Sequence, residues 1–91
     1  MSLTVSFNPV SMTVEQYDEV IRRLEQAGAG KPAGRLHYVC FGFGGHMRVV
    51  DIWQSEETFA AFGGLLLPIL EAVGVDIGQP EVAPVHSVIV G

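Results

Sequence analysis

Two adjacent glycines in the middle of the chain, Gly44-Gly45, constrain the fold more than any other pair of residues. Strand-forming runs flank them, Arg35 to Phe43 before and His46 to Trp53 after, and a Gly-Gly pair between two such runs marks a tight β-hairpin. The loop has two residues, or four if Gly42 to Gly45 all belong to it. Both registers pair odd positions of the first strand with even positions of the second. One face then carries Arg35, His37, Val39, Phe41 and Phe43 beside His46, Arg48, Val50 and Ile52. The other carries Leu36, Tyr38, Cys40 and Gly42 beside Met47, Val49, Asp51 and Trp53. Neither face is uniformly polar, so both are expected to be covered by protein.

The segments around the hairpin supply the rest of the elements. Leu3-Thr4-Val5-Ser6-Phe7 alternates apolar and polar with period two, a half-buried strand, and Asn8-Pro9 ends it. Thr13 three residues before Gln16 is a capping box, with Met12 and Tyr17 placed as a hydrophobic staple. The helix it opens has Val14, Tyr17, Ile21 and Leu24 in one stripe, and Gly28 suits its C-terminal cap. After the hairpin, Ser55 caps a second helix whose stripe runs Phe59, Phe62, Leu66, Ile69 and Val73. Gly63-Gly64 and Pro68 predict a break or kink there, because proline lacks an N–H and its ring meets the carbonyl four residues back. The segment LLLPILEAV is apolar nearly all round, Gly74 stops it, and a last edge strand is expected from Val85 to Val90. The order is βαββαβ, a single ferredoxin-like α+β domain over residues 1–91 with an antiparallel sheet.

Composition bears on partners. Apolar residues make up 48% and charged residues 16%, against about a quarter charged in ordinary domains. A chain of 91 residues buries only roughly 60–65% of its unfolded surface. Homodimerisation is the expected way to hide the remainder. A net charge of −5, with five basic residues in no stripe, argues against nucleic acid. No apolar run reaches transmembrane length and no secretion signal is visible, so no membrane partner is expected. One cysteine, Cys40, permits no internal disulfide and fits a reducing, cytoplasmic setting.

The reactive inventory is short. His37 and His46 share a face but sit about 10 Å or more apart at ~3.3 Å of strand rise per residue, too far to share a metal. His37, His86 and a carboxylate form the one conceivable metal set; the plainer reading of His37 is a core or pocket histidine. No metal site and no cofactor is assigned. Cys40 points away from His37, and a thiol without a base is inert. Asp51 stands mid-strand among apolar residues, where a carboxylate must find partners or take up a proton. It is a candidate general base, or else a structural acceptor for a backbone amide or Tyr38. Trp53 could line a pocket mouth or fill the space between sheet and helix. The candidate catalytic residues are thus Asp51 and His37, and the candidate ligand-binding residues Trp53, Tyr38 and His86.

The pattern Asp51-x-Trp53-x-Ser55-x-Glu57-x-Phe59-x-x-Phe62, after a βα unit and before an edge strand, resembles small dimeric α+β barrel proteins of the antibiotic-biosynthesis-monooxygenase-like group. The resemblance in element order spans essentially the whole chain. It implies two subunits joining their sheets into one barrel, with an apolar pocket between each sheet and its own helices. Members of that group oxygenate aromatic substrates without metal or flavin, bind haem, or isomerise lactones. The resemblance carries Trp53 across as a pocket residue, and leaves His37 and His86 as the only candidates for a haem ligand. Two readings follow: a cofactor-independent monooxygenase-like or isomerase-like enzyme on a hydrophobic or aromatic substrate, or a non-catalytic homodimeric ligand-binding or accessory module. Which hairpin face lines the pocket is left open.

Overall fold

A computed structural model describes residues 2–91. Four strands, β1 (Leu3–Phe7), β2 (Arg35–Phe43), β3 (His46–Trp53) and β4 (Glu81–Pro84), form one sheet in the order β2-β3-β1-β4. Every neighbouring pair is antiparallel, and helices α1 (Val14–Gln26) and α2 (Glu56–Val73) complete the βαββαβ order. The ferredoxin-like expectation holds. So does the hairpin, and its loop is the shorter of the two the sequence left open, since Phe43 opposes His46.

The hairpin tip is tied to the start of α1. The Met47 N–H donates to the Met12 carbonyl at 2.9 Å, and the Val14 N–H donates to the Gly44 carbonyl at 3.1 Å. The capping box forms as the sequence requires: the Gln16 N–H donates to Thr13 Oγ1 and the Thr13 N–H to Gln16 Oε1, both at 3.0 Å. These bonds satisfy donors that a helix start otherwise leaves unpaired. Ala27 is the C-cap of α1, and Gly28 follows it at φ 75°.

Both helices lie on one side of the sheet. Val5, Val49 and Trp53 face them, and Leu24, Leu66 and Leu70 close the core from the helix side. The opposite sheet face is open in the single chain, with Val39, Phe41 and Phe43 exposed, the last by 85%.

Three features depart from the sequence reading. First, α2 runs unbroken through Pro68. The ring is directed at the carbonyl of Gly64, four residues back, and neither Gly63 nor Gly64 has a side chain to crowd the adjusted turn. Second, the last strand is Glu81–Pro84, not Val85 to Val90. The register explains it: Pro84 opposes Leu3, where β1 begins, and the Val85 N–H reaches the Ser2 carbonyl at 2.9 Å. Beyond that point the ladder has no strand to extend along, and Val88, Ile89 and Val90 are left exposed. Third, a β-bulge interrupts β2 at its start. Arg35 opposes Trp53 and His37 opposes Ile52, so Leu36 is an extra residue. The bulge turns Arg35 to the helix side and Leu36 outward, the reverse of strict alternation.

Gly34 sets this corner. It adopts φ 85°, and a Cβ there would collide with the Thr58 side chain at the start of α2. The same glycine accepts a 2.7 Å hydrogen bond from the Gln54 N–H, closing the end of the hairpin opposite its turn.

The buried stripe of α2 is testable by paired truncations. Leu70→Ala empties a core site and is expected to cost about 2–5 kcal/mol in urea unfolding. Leu67→Ala, on the exposed side of the same helix, is expected to cost less than about 0.5 kcal/mol. Equal costs would mean that a different stripe of α2 faces the sheet.

Candidate functional site

Period-two alternation brings Tyr38, Cys40, Val49, Asp51 and Trp53 to the sheet face beneath the helices. A cavity opens there between the sheet and α1 and α2, walled by apolar residues such as Phe7, Val20, Leu66 and Leu70. Its polar lining comes from Tyr17, Arg35, Tyr38 and Asp51. This settles which hairpin face lines the pocket.

Among the described residues Asp51 is the one buried polar side chain, only 2% exposed. Its Oδ2 accepts from the Trp53 indole N–H at 3.0 Å. Its Oδ1 is buried and has no hydrogen-bond partner. Loss of hydration raises the carboxyl pKa to about 6, against the opposing pull of the Trp53 N–H and the nearby charge of Arg35. The side-chain partner is therefore the indole in place of Tyr38, and the Asp51 backbone amide adds a weaker pull in the same direction.

Trp53 itself is fully buried and does not reach the cavity. It stacks in tilted geometry on Phe59 and Phe62, with ring centroids 5.7 and 5.2 Å away. It fills the space between sheet and α2, and it touches the site through Asp51. The rigid indole holds the carboxylate in one orientation.

Tyr38 faces the cavity as expected. Its hydroxyl donates to the Tyr17 hydroxyl at 2.8 Å, linking β2 to α1 across the mouth. Burial raises the pKa of both phenols, so both stay protonated at neutral pH. Cys40 lies beside this pair, half-buried, and burial pushes its thiol up as well. That is the opposite of an activated nucleophile.

The histidines do not join the site. His37 stands exposed on the open sheet face, and His86 is exposed in the segment after β4. Neither is the pocket or core residue that the sequence allowed. His46 is also exposed, at the hairpin tip. Among the described residues no group of three His, Cys, Asp or Glu side chains is placed to hold a metal ion, and no helix is long and apolar enough to cross a membrane.

Two site residues escaped sequence reasoning. Tyr17 read only as part of the apolar stripe of α1. Arg35 read as an outer-face residue, because the bulge that redirects it leaves no mark in the hydrophobic pattern. Its guanidinium lies 4.4 Å from the Tyr38 ring centroid and 5.8 Å from that of Phe62, a cation–π arrangement at the cavity mouth.

The raised Asp51 pKa has a stability consequence of definite sign. The folded protein holds this proton more tightly than the unfolded chain, so stability is greatest below the unfolded value near 4 and falls as pH rises to about 6. A shift of this size corresponds to about 3 kcal/mol at most. Asp51→Asn is expected to remove that falling limb and to raise the melting temperature at pH 7. A wild-type stability profile that is flat or rising between pH 4 and 6, unchanged by the substitution, would contradict the assignment.

No family model matches the chain, and no curated protein matches it by sequence. Solved structures do match in shape. A single-residue variant of SnoaB, a cofactor-independent oxygenase from Streptomyces nogalater, superposes with a TM-score of 0.70 at 10% identity, covering 97% of this chain and 96% of that one. A candidate antibiotic biosynthesis monooxygenase from Chloroflexus aurantiacus gives 0.65 at 14% identity over the whole of both chains. Another from Deinococcus radiodurans gives 0.63 at 14%, covering 98% of this chain and 96% of that one. At such identities the likeness is one of fold. The resemblance carried by Asp51 to Phe62 holds at that level: the chain has the ferredoxin-like α+β fold of antibiotic-biosynthesis-monooxygenase-like proteins.

Proposed function

We propose that this protein is a cofactor-independent monooxygenase-like or isomerase-like enzyme acting on a hydrophobic or aromatic substrate, with Asp51 as general base. One observation carries the reading: Asp51 Oδ1 is buried at an apolar cavity with no partner of its own. A buried acceptor left unsatisfied costs stability, typically about 1–3 kcal/mol. A ligand hydroxyl or an acidic C–H placed against that oxygen would use it. A carboxyl group titrating near 6 is mostly ionised at neutral pH and still basic enough to accept a proton.

The chemistry follows from that placement. Substrate held between sheet and helices loses a proton to Oδ1 while the Trp53 N–H keeps Oδ2 fixed. The enolate or phenolate so formed has two outcomes. Reprotonation at another carbon is isomerisation; attack of the carbanionic carbon on molecular oxygen gives a hydroperoxide, which loses water with its remaining C–H to leave a carbonyl, the substrate itself supplying the electrons. The fold shared with SnoaB, a cofactor-independent oxygenase, supports the second outcome. Tyr38 and Tyr17 form the wall near the mouth, and His37 and His86 take no part from where they stand in the single chain.

The alternative is a non-catalytic ligand-binding module, and in either reading a cavity of about 50 Å³ must widen to admit an aromatic ligand. The two readings separate on Asp51. A panel of small aromatic and lactone compounds is screened by thermal shift, and each hit is followed for oxygen uptake and isomerisation. The enzyme reading expects a hit that turns over, with Asp51→Asn lowering turnover by about 10²–10⁴-fold while binding persists. Binding without turnover supports the module. A screen in which nothing raises the melting temperature sinks both.

The proposal includes a homodimer joined through the open sheet face. Val39, Phe41 and Phe43 stand exposed there, and Arg48 covers the Phe41 ring at 4.8 Å. Exposed apolar area of this kind marks an interaction surface. Sedimentation at micromolar concentration is expected to give about twice the 9.8 kDa chain mass, and Val39→Asp to return it to one chain. A 9.8 kDa species in the wild type removes the dimer from the proposal.

A further inference from the structure

The mouth of the cavity carries a positive charge that proton abstraction by Asp51 does not use. Arg35 spends one donor on the Gly30 carbonyl, at 3.1 Å, and stacks over Tyr38. Among the described residues it has no carboxylate partner within ion-pair distance. It reaches this position through a bulge that re-aims its side chain, next to a glycine whose left-handed backbone no larger residue would fit against Thr58. Its one anionic counterpart, the Asp51 carboxylate, acts on it through space without an ion pair, so in a chain of net charge −5 this half-buried guanidinium keeps donors free for a second anion.

The surroundings leave room for one. Outside the Arg35–Tyr38 pair lies an open bowl of about 500 Å³, with Lys31 and Glu25 on its rim. Tyr17, Ile21, Arg35 and Tyr38 line both the bowl and the inner cavity, so these four side chains are the partition between them. The inner cavity, about 50 Å³, holds a few waters and is too small for an aromatic ring, which occupies an engineered cavity of about 150 Å³. Joining the two spaces requires Arg35 to leave the Tyr38 ring and the Tyr38–Tyr17 hydrogen bond across the mouth to open with it. A ligand that draws the guanidinium toward itself starts that opening.

We propose, taking the cavity as the ligand site of the preceding section, that its ligand is a small planar hydroxylated carboxylic acid. The carboxylate pairs with Arg35 at the mouth with Lys31 behind it, the ring lies between sheet and helices, and the hydroxyl donates to Asp51 Oδ1. The fork of the guanidinium matches the two oxygens of a carboxylate. Lys31 adds charge from the exposed rim, and two of the five basic residues of the chain thus face one opening. At the inner end, the orphaned Oδ1 requires a donor, and a hydroxyl provides it. Neutral analogues lose the mouth contact, and analogues without the hydroxyl leave Asp51 unpaired.

Calorimetric titration with three compounds tests this: 6-hydroxy-2-naphthoic acid, its primary amide, and 2-naphthoic acid. Wild type is expected to bind the hydroxy acid at least ~10-fold more tightly than either of the others, as one charge-assisted contact warrants. Arg35→Gln is expected to abolish the preference for acid over amide and keep the preference for the hydroxyl. Asp51→Asn is expected to weaken the hydroxyl preference and keep the acid preference. Lys31→Ala, which leaves the partition intact, is expected to reduce the acid preference by a few-fold and covers the case in which the Arg35 variant fails to fold. Acid and amide binding within 2-fold of each other in wild type would overturn the ligand class. So would failure of all three compounds while a neutral compound from the thermal-shift panel binds. Failure of every compound in both experiments would remove the pocket reading as well.

Discussion

The hydrogen bond from the Trp53 indole to Asp51 joins core and site in one contact. Trp53 is the largest fully buried side chain, and its ring holds α2 to the sheet through Phe59 and Phe62. Its N–H needs an acceptor once it is buried, and Asp51 provides one two residues earlier on the same face. The acceptor is a carboxyl group, with a second oxygen to satisfy, and nothing in the core satisfies it. A structural requirement of the tryptophan thus places a reactive oxygen at the cavity wall. Packing on one side and chemistry on the other depend on the same pair.

The sheet has two faces of different fate. Below the helices, alternate residues of β1 and β3 bury completely or nearly so. On the other side, β2 presents Val39, Phe41 and Phe43 without cover, and the segment after β4 leaves three further apolar residues exposed. A 91-residue chain with this much apolar content cannot bury all of it in a two-layer fold, because two helices cover only one side. The composition and the topology state the same surplus in different terms. The part of the surplus on the sheet lies on the face away from the cavity, so covering that face with a second copy would leave the cavity mouth free.

The cavity mouth depends on one irregularity. Without the bulge at Leu36, Arg35 would lie on the open face and a leucine would stand over the opening. The mouth would then hold only the paired phenols as polar groups inside the rim formed by Lys31 and Glu25. One extra residue in the strand exchanges a hydrophobic lip for a cationic one. Gly34, which alone permits the left-handed turn against Thr58, makes that exchange geometrically available.

Periodicity and turn chemistry made much of the fold legible in the sequence. The strand alternation at Leu3–Phe7, the Gly44-Gly45 turn, the Thr13 and Ser55 caps and the stop at Gly74 are local signals, and each element begins or ends where its signal stands. The grouping of Tyr38, Cys40, Asp51 and Trp53 on one face was legible for the same reason, since parity along a strand needs no tertiary information. Tertiary structure decided the rest. It chose which face meets the helices, because both faces of the hairpin are apolar enough for that role. It kept α2 continuous through Gly63, Gly64 and Pro68, where burial of Phe62, Leu66 and Leu70 on the core outweighs the local breaking signal. It ended the last strand at Pro84, because a strand extends only as far as its neighbour does. It left His86 exposed beyond β4 and brought Arg35 toward Asp51, through a bulge that is a property of the pairing of two strands and of neither strand alone.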